Sequence, residues 1–494
     1  MVKKTLFTLS VLVSFAFASC LAFAQDAISS PARTPEQPIV QSEPAQFPAG
    51  IVTPRGTVIT PPISDSHRRG VHTNYKIFVP EGQKGISAVI PLNTFAENPA
   101  SLACIYKVGK VYAGCFAGTF PGVKGGGSGG WGAIAVVDAY DHPTVANDLT
   151  TFDTTFGLPA ANFTKVIANS SFGTLGGGFA PTLNASCSGT PVDAGLTGWD
   201  VEIDLDTQYA HAMAPAAKII LVEACTQNLE DLLYAEAVAG IEVAAAGGGT
   251  ISNSWGYPES CAIDPNCNGG WNQPLGADDN FFYRFHYDHI SYYASSGDSP
   301  GDIIYPSTSP WVVSVGGTQI DRDANGNFVD ESCWSDSGGG FSTIETWANP
   351  PNSIFNGLGA WADYQYELFG GYPYASPFRS TPDIAAEASL QSGVWVLDTD
   401  PDDPLGWIQV GGTSVASPVV AGIVNASNNR LGQSPSGGGY YRTGENNLLY
   451  SELYAHTAYP ANFYDVKLGN NSHAAGPGYD QCTGIGTPRG KGGK

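Results

Sequence analysis

Basic residues are scarce in this chain of 494 residues, where 22 Lys+Arg stand against 45 Asp+Glu, for a formal net charge of −23. A chain this short of cations is not built to grip a nucleic-acid backbone or an anionic membrane surface, both of which need clustered Lys/Arg. Charged residues of either sign are only 14%, well under the roughly 25% of a typical soluble domain. No C-x-x-C pair occurs, which excludes a zinc ribbon and a thioredoxin-like redox site. Beyond the N-terminal stretch, no run reaches the roughly 18 apolar residues of a membrane span. What is abundant is apolar and small: 42% hydrophobic residues and 61 Gly beside 35 Pro. That supplies a sizeable core and stays below the Gly/Pro share of low-complexity chains. The length allows one large domain or two ordinary ones.

The address is written at the start. Lys3 and Lys4 precede an almost wholly apolar run from Leu6 to Leu21, and Ala22-Phe23-Ala24 gives an A-x-A cleavage signature before Gln25. Residues 1–24 therefore read as a secretory signal peptide, directing the chain to the exterior or a periplasm. Phe17 stands where a lipid-attachment motif around Cys20 would prefer Leu, so lipoprotein anchoring is not expected. Removing residues 1–24 takes away two lysines and no acids, which leaves −25. Eight cysteines remain, an even number that favours disulfides on an exported chain. Proximity alone pairs Cys104 with Cys115 and Cys261 with Cys267; the partners of Cys187, Cys225, Cys333 and Cys482 stay open.

Residues 25–74 hold eight prolines and few large apolar groups, so they are expected to form an extended tether. From Tyr75 onward the pattern changes to short β-branched and aromatic runs, among them Lys76–Val79 and Ile86–Ile90. The run Trp131–Asp138 reads as a buried parallel strand with a polar residue at its carboxyl end. Further strands are predicted over Lys218–Glu223, Thr250–Trp255, His289–Ala294, Trp311–Val315 and Val394–Leu397, with a helix over Leu229–Val243. Such alternation argues for an α/β fold whose site lies at the carboxyl ends of parallel strands.

Four clusters carry chemistry. Gly411-Gly412-Thr413-Ser414-Val415-Ala416-Ser417-Pro418 opens an apolar helix. Read one way it offers a nucleophilic hydroxyl beside backbone donors for an oxyanion; read another, an ordinary helix N-cap. Glu202 and Asp206 are four residues apart, hence on one helix face. They are either an acid–base pair sharing protons or part of a solvated acidic surface, since Asp200 and Asp204 have the same spacing. Asp298, in Gly-Asp-Ser-Pro-Gly, reads locally as a turn residue. Asp465-Val466 and Gly476-Pro477-Gly478-Tyr479-Asp480 are either surface turns or a set of hard oxygen ligands.

The serine octet resembles that of the subtilisin clan, yet the H-G-T-H and D-T-G boxes of subtilisins proper are missing; His211 lies in Ala210-His211-Ala212. The ordered set is instead similar to the sedolisins, or serine-carboxyl peptidases. It comprises E-x-x-L-D at 202–206, Ala212-Met213-Ala214-Pro215, Ser295-Ser296-Gly297-Asp298, Tyr305-Pro306, Val315–Thr318, Trp334–Ser342, Pro382–Ala385 and the octet. The resemblance covers roughly residues 98–490. It implies a subtilisin-like α/β fold over 75–494, a parallel central sheet flanked by helices, with a C-terminal calcium-site segment. It further implies a monomeric, secreted, acid-active endopeptidase acting on proteins or peptides. Ser414 would be its nucleophile, Glu202 the base, Asp206 the residue orienting Glu202, and Asp298 a protonated oxyanion donor. One calcium ion would be held by Asp465 and Asp480 side chains with the carbonyls of Val466, Gly476 and Gly478. Ser252–Gly256 resembles the strand along which the family's substrates lie. The chain departs from the pattern before residue 98, where sedolisins carry a long folded pro-region. The alternatives are a neutral-pH subtilisin relative using His211 and an inactive secreted scaffold that binds peptides or cell-wall material.

Overall fold

A computed structural model describes residues 48, 50–81, 95–117, 123–177, 180–262, 267, 282, 289–346, 378–427, 449–450 and 459–490. The signal peptide and the expected strand Ile86–Ile90 lie outside the described residues. Near the N-terminus run three short strands, β1 (Gly56–Ile59), β2 (His72–Thr73) and β3 (Lys76–Pro80). The buried strand expected over 131–138 follows as β4 (Ala133–Ala139), and after it comes β5 (Asn162–Ala168), which is not among the expected strands and is only partly buried. After the hairpin β6 (Leu175–Gly177) and β7 (Ala180–Leu183) come β8 (Lys218–Ala224), β9 (Gly249–Asn253) and β10 (Trp255–Pro258). Beyond these lie β11 (Ile290–Ser295), β12 (Ile304–Tyr305), β13 (Val312–Arg322) and β14 (Phe328–Cys333). The last that matter here are β15 (Gly340–Thr346), β16 (Phe378–Thr381), β17 (Ile384–Glu387), β18 (Val394–Asp398) and β19 (Gly406–Gly411).

The main sheet has eight strands in the order β14-β13-β11-β9-β4-β8-β5, with β17 beside β13. Every pairing from β5 to β13 is parallel, as is β13 with β17; only β14 runs antiparallel. Its central strand β4 (AIAVVDA) is buried at every position, as a strand covered on both faces must be. Helices α1 (Pro99–Ile105), α2 (Val145–Phe156), α3 (Asp200–Met213), α4 (Leu229–Ala245) and α5 (Thr413–Ala426) flank the sheets. Helix α1 starts on a capping box in which the Asn98 side chain accepts from the Ala100 and Ser101 amides, while Ser101 Oγ accepts from the Asn98 amide. Helix α5 packs on β9, β11 and α3, and α3 also meets α2 and β18. Both α3 and α5 are consequently buried on all sides.

Two expectations about organisation change. The predicted strand Val394–Leu397 exists as β18, but it forms a separate antiparallel sheet in the order β1-β3-β19-β18. A short apolar run looks the same in either setting, and only its partners distinguish them. The expected tether 25–74 is part of the fold from Gly56 on, where β1 pairs β3 and β2 pairs β10. Ile63 and Val71 are buried there. This stretch has no core of its own; it gains one by pairing with strands the body already presents. Both cysteine pairings expected from proximity are present, and the other four residues join as Cys187–Cys225 and Cys333–Cys482. Among the described residues no helix is long and apolar enough to cross a membrane.

Candidate active site

Ser414 is the second residue of α5, whose N-cap is Gly412 at φ 120° with no side-chain cap. The hydroxyl is therefore not spent on capping. It donates to Glu202 Oε2 at 2.9 Å and lies 3.1 Å from the Ser254 carbonyl oxygen. Glu202 and Asp206 share a face of α3, but that face is fully buried, so the solvated-surface reading fails. Asp206 accepts from Ser254 Oγ at 2.7 Å, which ties the helix carboxyl to the residue between β9 and β10. Burial raises the Glu202 carboxyl well above the usual range, and the charges of Asp206 and Asp138 add to the effect. Burial likewise raises Asp206, followed by the Asp138 charge. Asp138, near the end of β4, is pushed up to about 8 by burial. Three carboxyls in one dry pocket cannot all ionise, so the group holds protons in acid and near neutrality.

Asp298 follows β11, on the far side of Gly297 from Ser295–Ser296, and is 2% exposed. It is more than a turn residue. Its Oδ1 accepts from the Thr413 amide at 2.7 Å and from Thr413 Oγ1 at 3.0 Å, while Oδ2 has no hydrogen-bond partner among the described residues. Both donors occupy one oxygen, which leaves the other to carry a proton and donate it. Burial pushes this carboxyl up to about 7, partly opposed by the Lys76 charge and the Thr413 hydrogen bonds. A carboxylic acid that keeps its proton in this way can stabilise an oxyanion, whereas a carboxylate cannot.

His211, the alternative base, is also on α3. Its Nε2 lies 2.8 Å from the Pro159 carbonyl oxygen and 3.3 Å from Asp153, and burial lowers its pKa. No hydrogen bond joins it to Ser414.

Residues that sequence reasoning did not assign also meet here. Ser254 bridges Ser414 and Asp206, and Thr413 anchors Asp298. The Lys76 ammonium donates to the Asp298 carbonyl at 2.9 Å and to Asp336 at 3.0 Å. For Ser254 a signal existed in the Ser252–Gly256 motif; for Lys76, within a generic strand, there was none. A buried acidic group around His142 also went unread. His142 Nε2 is 2.8 Å from Asp204 and 3.7 Å from Asp398, and Nδ1 is 3.2 Å from Asp400.

The C-terminal carboxylates converge on one turn. Asp465 Oδ1 accepts from the Gly478 amide at 2.9 Å, and Asp480 Oδ2 accepts from the Gly476 amide at 2.9 Å. Asp480 Oδ1 is held by the Cys482 and Thr483 amides. Carboxylate oxygens are donors of the kind a hard cation takes, and here those of Asp465 and Asp480 accept from backbone N–H groups. Lys467 Nζ, 3.1 Å from Asp465 Oδ2, partly neutralises it.

Comparison with known proteins follows the same lines. A model of the subtilase family matches residues 159–473. Kumamolisin of Bacillus sp. (strain MN-32) is 28% identical over 309 residues, covering 59% of this chain and 50% of that protein. Sedolisin of Pseudomonas sp. (strain 101) is 28% identical over 252 residues, 46% of this chain and 37% of the other. The chain thus spans half or less of the length of these relatives. Among solved structures, Pseudomonas sedolisin, a serine-carboxyl proteinase complexed with two molecules of pseudo-iodotyrostatin, aligns with a TM-score of 0.56. That alignment has 21% identity and covers 80% of this chain and 96% of that one, a likeness of fold.

Proposed function

The chain belongs to the subtilase family, and we propose that it is an exported serine-carboxyl endopeptidase of the sedolisin branch working in acid. The observation that carries this reading is the 2.9 Å hydrogen bond from Ser414 Oγ to Glu202 Oε2. A serine hydroxyl is a weak nucleophile until a base removes its proton. In this reading Glu202 takes that proton as Oγ attacks a peptide carbonyl, then returns it to the leaving nitrogen. Asp206 tunes Glu202 electrostatically and is itself held by Ser254. The Ser414 amide and a protonated Asp298 Oδ2 face the developing oxyanion. Glu202 must be ionised to act as base and Asp298 protonated to act as donor, so the working form is a particular distribution of protons over coupled carboxyls.

Calcium forms part of the same reading. Asp465 and Asp480, with carbonyls of Val466, Gly476 and Gly478, would hold one ion, and its chemistry would be structural cross-linking. Export rests on residues 1–24, and the boundaries of the peptidase domain move N-terminally to include β1 and β2.

The test is hydrolysis of a denatured protein from about pH 3 to pH 8 by wild type and variants. Ser414→Ala and Glu202→Gln should each lose about 10⁴-fold or more, and the double variant little beyond either, because the residues act as a unit. His211→Ala should retain most of the rate if it folds. Normal activity in Glu202→Gln would overturn the assignment.

A further inference from the structure

The buried acids around His142 form a second group, distinct from the one at Ser414. His142 lies in the turn after β4, Asp148 on α2, Asp204 on α3 and Asp398 at the end of β18, so four separate parts of the fold contribute to it. All four side chains are buried, at 2% exposure or less. One donor atom from each lies within 4.8 Å of the others. About His142 Nε2 stand Asp204 Oδ2 at 2.8 Å, Asp398 Oδ1 at 3.7 Å and Asp148 Oδ2 at 4.0 Å. A tetrahedral ion with bonds of about 2.0–2.1 Å sets its donors roughly 3.3 Å apart, inside that spread.

The group is short of positive charge. Three carboxyls surround one ring nitrogen, Asp400 stands at the other, and among the described residues no Lys or Arg is ion-paired with any of them. The single N–H that Nε2 can carry reaches only Asp204. A divalent cation in place of that proton meets all four donors at once. The far side of the ring gives an independent sign. Nδ1 and Asp400 Oδ2 are 3.2 Å apart, both are buried, and neither has a hydrogen bond among the described residues. A ring that ligates through Nε2 has its N–H on Nδ1, and metal-bound histidines nearly always donate that N–H to a carboxylate, carbonyl or water. The carboxylates are themselves oriented. Asp148 Oδ2 accepts from Thr144 Oγ1 at 3.0 Å, Asp204 Oδ1 from Gln208 Nε2 at 3.1 Å, and Asp398 Oδ1 from the Asp400 amide at 2.9 Å. Burial raises the Asp204 and Asp398 carboxyls, so a metal must displace protons to bind, and its affinity falls in acid.

We propose that His142, Asp148, Asp204 and Asp398 bind one zinc ion at neutral pH, with Asp400 positioning the imidazole. One nitrogen and three oxygens suit zinc, whereas calcium takes about six to eight oxygens. The role of the ion is to hold α3. At about 100° per residue, Asp204 projects from the opposite side of that helix to Glu202 and Asp206. An ion there ties the helix bearing Glu202 to α2, to β18 and to the turn after β4. Zinc binding here does not require Ser414 to be a nucleophile.

The experiment uses the full chain, stripped of metal by dialysis and titrated with zinc chloride at pH 7. Excess calcium keeps the turn at Asp465 and Asp480 out of the titration. Calorimetry should show one equivalent of zinc, and X-ray absorption at the zinc edge should show one imidazole among oxygen donors. His142→Gln and Asp204→Asn, shown to be folded by their melting curves, should each lose that equivalent. Asp400→Asn changes no ligand and should weaken zinc about 10–100-fold; it carries the test if a ligand variant unfolds. A folded wild type that takes up no zinc overturns the site. So does zinc held as tightly by Asp204→Asn or Asp400→Asn as by wild type, or an edge spectrum without imidazole. Manganese bound more tightly than zinc overturns the choice of ion.

Discussion

Asp298 is the residue at which chemistry and pH dependence meet. With its pKa pushed up to about 7 by burial, the acid form prevails below that value and donation to an oxyanion is lost as pH rises through it. Asp298→Asn keeps a donor that cannot ionise. It should retain part of the rate and lose a smaller fraction than wild type between acid and neutral pH. Asp298→Ala removes the donor and should fall by about 10²–10³ in kcat. Glu202 and Asp206 titrate as well, so the informative quantity is the change in the pH–rate profile between variants. Wild type most active near pH 8, with Asp298→Ala nearly harmless, would remove Asp298 from the mechanism.

At the scale of elements, the turn from Gly476 to Asp480 is the part whose fate hangs on a ligand. It brings together the carboxylates of Asp465 and Asp480 and leads directly to Cys482, which is disulfide-bonded to Cys333 on β14. An ion bound only by the folded protein stabilises it by mass action. Excess chelator should therefore lower the melting temperature, as should Asp480→Asn, and the variant should no longer respond to added calcium. Melting curves that superimpose with and without chelator would exclude a calcium ion from this turn.

For the whole molecule the decisive quantity is the number of acids kept out of water. Burial pushes Glu223, Glu236 and Glu331 up to about 8, about 8 and about 7, and Asp398 up to about 9. Glu223 gains back a little from Lys165, and Asp398 is raised further by Asp204 and Asp200. A carboxyl whose folded-state pKa exceeds its unfolded value of about 4 binds its proton more tightly when folded. Its favourable contribution is complete below about pH 4 and is lost as pH rises through the folded value. The melting temperature, measured without zinc and in excess calcium to hold metal contributions constant, should fall from about pH 4 to about pH 9. A melting temperature that climbs over that interval would show that these acids ionise without penalty. A formal charge of −23 adds self-repulsion in the same direction as the carboxyls ionise.

Strand β4, helix α4 and the helix after Gly412 were legible from their residues alone, because an apolar run bounded by glycines or polar ends can bury itself in few ways. Ser414, Glu202, Asp206 and Asp298 were legible only as motifs in a fixed order; no local rule distinguished Asp298 from a turn. Periodicity put Glu202 and Asp206 on one face but could not say whether that face met water, since burial depends on α5, α2 and β18 arriving from distant parts of the chain. The same limit hid the antiparallel setting of β18 and made residues 56–74 look like a tether. Composition reports what a segment could bury by itself, and β2 and β3 bury themselves against partners more than a hundred residues away. Contacts at that separation exist only once the sheets have closed around them.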